Sequence, residues 1–260
     1  MSMPRSPAVG RRLATALAWR PEWPATLAVL VAWATLACMS LATGPTAPAA
    51  GAHAAHGEHA GHLGHPAGGG TSLVEALVGW AVMCVAMMVP LTLPAVRHVA
   101  YNSLRVRRPR AIAIYLGVFV AGWVLVGLVA IPALGGLRVG LGIDGPLLLV
   151  AALAGAAIWQ LTPAKRRALF ACRRTVPLPP LGPRADAACA RYGIQQATRC
   201  LVACGPIMLA MALVERGALA WMAGLTAIVV AEALPLLGPR LIRPIAAALA
   251  LAAGLVALGL

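Results

Sequence analysis

Cys200, Cys204, Met208 and Met211 fall at offsets 0, 4, 8 and 11. On an α-helix that spacing puts two thiols and two thioethers on one stripe, which Glu215 continues. A second sulfur set, Met83, Cys84, Met87 and Met88, lies in "WAVMCVAMMVPLTLP", where Met83/Met87 and Cys84/Met88 are each four apart. Thiolate and thioether are the ligands that favour Cu(I) among biological metals. The same side chains also serve as plain apolar filling, and a CxxxC pair is a thiol-redox candidate.

A third set differs in kind. "GAHAAHGEHAGHLGHP" carries His53, His56, His59, His62 and His65, one imidazole every third residue. Neutral imidazole binds copper, zinc and nickel, so the tract reads as metal capture, with a polar spacer as the bland alternative. Its glycines and proline disfavour a helix. In an extended polyproline-like chain the rings align on one face but roughly 9 Å apart, too far to share an ion. Each site would have to fold round its metal, with modest, pH-dependent affinity.

The elements that position these groups are apolar. Hydrophobic residues make up 61% of the 260-residue chain and charged residues 11%, more apolar surface than a soluble domain of this length hides. Seven candidate spans stand out, at roughly 24–43, 72–95, 111–131, 145–163, 199–215, 217–237 and 243–260. Pro90 and Pro94 interrupt the second span, and Gly205 and Pro206 the fifth.

Strict alternation of these spans places 19 of the 21 basic residues on one side. They occupy the N-terminus, 96–110, 164–199 and 238–243, while 44–71 has none. The positive-inside rule makes that side cytoplasmic, with the N-terminus inside and the C-terminus outside. Basic blocks between apolar runs argue against a nucleic-acid face. The expectation is an all-α, polytopic membrane bundle of about seven helices. It comprises a basic N-terminus (1–23), a first span (24–43), a His-rich outer loop (44–71) and a six-helix domain (72–260) with a basic cytoplasmic loop at 164–199. The first span followed by "TGPTAPAAGA" also fits a cleaved secretory signal.

Three ionisable residues are conspicuous. Glu75 and Glu232 sit at the edge of or within apolar spans, where a carboxyl is a functional suspect. Lys165 is the only lysine in a chain that otherwise uses arginine; an ammonium there would suit a carboxylate partner, with a topogenic charge as the alternative.

The segments "WAVMCVAMMVP", "QLTPAK", "CLVACGPIM" and "GALAWM" occur in this order between Trp80 and about Gly238. This series resembles a bacterial family of predicted metal-binding integral membrane proteins, a domain-of-unknown-function family some of whose members are labelled copper chaperones. The resemblance implies roles for Trp80, Met83, Met87, Met88 and Pro90, and for Gln160, Pro163, Lys165, Cys172 and Arg173. It extends to Cys200, Cys204 and Met208, then to Gly217, Trp221, Met222 and Glu232. The chain departs from the pattern at Ala203 and Gly205, where relatives often have a third Cys and a Trp, and at Ala233, where a Lys usually follows the Glu. The histidine tract lies outside the shared segments.

The functional expectation is a metal-binding protein of the bacterial inner membrane that handles copper, with zinc or nickel as further candidates at the histidine loop. Its partners are the bilayer, a transition-metal ion and a metal-receiving protein. The alternatives are a permease for another solute, with Glu75 and Glu232 lining a path, and a thiol-redox or assembly factor. No hydrolase triad, nucleotide loop or HExxH motif is present, so an enzyme is not expected.

Overall fold

The computed structural model describes residues 20–42, 72–143, 145–214, 217–234 and 238–259. The histidine tract and Glu215 lie outside the described residues. Within them the chain is all-α, with eight α-helices: α1 (Trp23–Ala42), α2 (Leu73–Tyr101), α3 (Arg108–Leu141), α4 (Gly145–Gln160), α5 (Pro163–Cys172), α6 (Pro183–Ala212), α7 (Ala218–Ala233) and α8 (Gly238–Ala257).

Each apolar window coincides with a helix, but the boundaries differ from the sequence reading. Segment 164–199, expected as a basic loop, holds α5 and the first half of α6. Pro163 at the first turn and the Thr162 hydroxyl, which accepts from the Lys165 amide at 3.2 Å, start α5. The chain bends by 75° between α4 and α5. Region 132–144, expected as an outer loop, is largely the end of α3, which stops at Gly142 in the left-handed conformation (φ 59°).

Four helices, α1, α2, α3 and α8, are individually long and apolar enough to cross a membrane, and α4 with α5 makes up to five. The expected count of seven is not reached on length and composition. The polar first half of α6 dilutes its apolar second half, and α7 has only 16 residues.

The core is a layer of sulfur, aromatic and small side chains where α2 meets α1, α3 and α7, and where α6 meets α3, α4 and α5. Trp80 is fully buried and its indole nitrogen donates to the Trp123 carbonyl at 2.8 Å. A Cβ at Gly127 would stand 2.4 Å from that ring, so a glycine is what lets α3 lie against it.

The prolines of α2 and α6 leave carbonyls without helical donors. Pro90 removes the N–H that would bond Ala86, and the indole of Trp33 on α1 donates to that carbonyl at 3.1 Å. Pro206 does the same to Val202, and Trp159 on α4 donates there at 2.9 Å. Two interrupted helices are thus completed from neighbouring helices, as an apolar surround requires.

Candidate metal centre

Met83, Cys84, Met87 and Met88 on α2 and Cys200, Cys204, Met208 and Met211 on α6 are all buried in one cluster. The two sulfur stripes therefore share one core and touch at one recorded point. Their closest recorded contact is the Cys200 thiol, which donates to the Met88 thioether with Sγ–Sδ 3.8 Å. Cys204, one turn along α6, is buried in the same cluster. Met222 of α7 is fully buried in the same cluster. The described cysteines are all free thiols.

Among the described residues no group of three or more His, Cys, Asp or Glu side chains is placed to hold a metal. A site at this cluster would therefore draw on methionine as well as cysteine, the soft donor set that suits Cu(I). The spacing is compatible with an ion. Taking a metal–sulfur length of about 2.3 Å as for zinc thiolates, sulfurs 3.8 Å apart subtend about 110° at a shared ion.

Beside the sulfurs stands a buried polar cluster. Lys165 Nζ pairs with Glu232 Oε2 at 2.7 Å and donates to the Ala203 carbonyl at 2.6 Å. Gln160 Nε2 donates to Glu232 Oε1 at 2.5 Å. Lys165 and Glu232 are both fully buried, so each charge depends on the other and on these hydrogen bonds. The ammonium grips the backbone between the two cysteines, and both charges are near enough to act electrostatically on Cys204. The carboxylate partner expected for Lys165 is thus Glu232.

Other candidates have local roles. Glu75 is exposed and forms a capping box with Ser72 at the start of α2, each side chain bonded to the other's backbone N–H. That geometry accounts for an acid at the edge of an apolar helix without a transport path. Arg173 donates to the carbonyls of Glu232 and Leu234, each at 3.0 Å, closing the end of α7. Cys172 is half-buried at the end of α5, and its carbonyl accepts from Gln196 at 3.1 Å.

Trp33 and Trp159 escaped sequence reasoning as supporting residues. The available signal was a proline four residues after an apolar carbonyl, together with an indole in another apolar helix. Which indole serves which carbonyl is a matter of packing.

Fold and site together define an all-helical, strongly apolar protein with a sulfur-rich core and a buried ion pair beside it. The chain belongs to the family described as copper chaperone (PpoB2), whose model matches residues 77–256. That match takes in both sulfur stripes and the Lys165–Glu232 pair, and leaves out α1 and the histidine tract. No curated protein and no solved structure matches the chain.

Proposed function

We propose that this chain is a multi-pass protein of the bacterial cytoplasmic membrane that captures or delivers copper, with Cu(I) as its cargo and no enzymatic role. The observation that carries this reading is the 3.8 Å contact between Cys200 and Met88, which joins the two sulfur stripes. Cys200, Cys204 and Met88 are the central donors, with Met83, Cys84, Met87, Met208 and Met211 around them. The family's description supports copper.

Seven spans with the N-terminus inside and the C-terminus outside remain the proposed topology. It is supported by how the four basic segments assigned to the cytoplasm meet. Glu22 pairs with Arg97 at 2.6 Å, and Asp186 pairs with Arg107 and Arg110. Arg173 and Arg240 line one cavity. Segments on opposite sides of a bilayer would not make such contacts. The histidine tract then lies outside, where it concentrates metal ahead of the inner site, and a metal-receiving protein takes the ion onward.

Competition of the purified protein with a chromophoric Cu(I) chelator tests this. The wild type should withdraw copper, the variant Cys200→Ser with Cys204→Ser should not, and deletion of 53–65 should weaken uptake without abolishing it. Equal withdrawal by wild type and the double variant would remove the inner site. Loss of all binding on deleting 53–65 would make the tract itself the site.

A further inference from the structure

Arg166 of α5, Arg173 just past its end, and Arg240 and Arg243 of α8 line a single cavity of about 730 Å³. Its size is that of a small-molecule site. The cavity's one acid, Glu232, is already held by Lys165 and Gln160. The other described acids are engaged elsewhere: Glu22 with Arg97, Glu75 in its capping box, and Asp186 with Arg107 and Arg110. Arg166, Arg240 and Arg243 therefore have no ion-pair partner among the described residues, and the buried Nε of Arg173 has no hydrogen-bond partner there. Four arginines thus line one space whose single carboxylate is committed to Lys165.

The rest of the wall is apolar, with Phe170 and Leu161 exposed at 56% each and Ile242 buried. Guanidinium groups match phosphate oxygens in a two-pronged geometry that a point charge does not supply. Exposed apolar side chains beside them suit an acyl chain. Basic pockets between spans on the cytoplasmic side are places where anionic headgroups seat.

The geometry points to a phosphate-binding site at this cavity, filled by the headgroup of an anionic phospholipid. The inference rests on the membrane reading of the helices and is independent of copper. Because Glu232 links the cavity wall to Lys165 and so to the backbone of Ala203, a bound headgroup would brace the helix that carries the cysteines.

Native mass spectrometry of the full-length protein, offered phosphatidylglycerol or phosphatidylcholine, reads this out. Phosphatidylglycerol should be retained over phosphatidylcholine. Arg240→Gln with Arg243→Gln should lower its retention by about thirtyfold, from the worth of two basic groups at a membrane surface. Arg184→Gln with Arg191→Gln, which removes two exposed arginines of α6, should leave retention unchanged. Arg240→Lys with Arg243→Lys should fall between wild type and the Gln pair, which guards against a Gln variant that misfolds. If inorganic phosphate alone binds the wild type and displaces the lipid, the phosphate site stands and a soluble phosphate is its ligand. Equal retention of the two lipids by the wild type, or equal loss in the cavity and control variants, would overturn the proposal.

Discussion

The indole nitrogen of Trp159 donates to the carbonyl of Val202 at 2.9 Å, and Val202 lies four residues before Pro206. That carbonyl is the one whose helical donor the proline removes. Trp33 stands in the same relation to Ala86 and Pro90. The two helices that carry the sulfur stripes are therefore interrupted beside those side chains, and each break is closed from another helix.

Trp159→Phe should lower stability by about 1–3 kcal/mol, the cost of leaving an acceptor unpaired on a helix face that the proposed topology turns to lipid, where no water replaces the indole. The same change should cost much less in a Pro206→Ala background, where the amide returns. Thermal unfolding of the four proteins in one detergent measures the coupling. Simple additivity would mean that Trp159 acts through packing alone.

Breaking the buried ion pair should be more damaging than removing it whole. Lys165→Met or Glu232→Gln alone should cost about 3–5 kcal/mol, because each leaves an uncompensated group in an apolar core. Lys165→Met combined with Glu232→Leu should recover part of that loss. If the double change is as harmful as the sum of the singles, the pair is not the unit described.

Asp186 provides a pH test outside the apolar segments. Its hydrogen bond to Arg107, with the charges of Arg107 and Arg110, holds its carboxyl below the usual aspartate range. A depressed value means the contribution is present above the unfolded-state value and is lost as pH falls through the folded one. Asp186→Asn should therefore be less stable than wild type at neutral pH, and the gap should close only below the ordinary aspartate range. A gap unchanged into acid would assign the effect to shape rather than charge.

Much of this was readable in the sequence, for definite reasons. Offsets of four along a helix fix which side chains share a face, so the Cys200–Met211 stripe and the Met83–Met88 set were legible without a fold. That the two stripes meet, through Cys200 and Met88, depends on helix packing, which no local spacing encodes. Lys165 was conspicuous by composition, yet its partner lies far along the chain on α7. The helical character of 164–199 was hidden because its arginines mimic a loop. Pro163, Thr162 and Pro183 were the overlooked start signals. Glu75 carried a second local signal: Ser72 three residues before it spells the capping box that the structure forms.

X-ray absorption at the copper edge tests the central claim most directly, using Cu(I)-loaded protein that lacks residues 53–65. The account predicts a first shell of sulfur alone at about 2.3 Å, by analogy with zinc thiolates, and loss of that copper in Cys200→Ser. A nitrogen or oxygen first shell, or no copper retained by the protein with its cysteines intact, would contradict it.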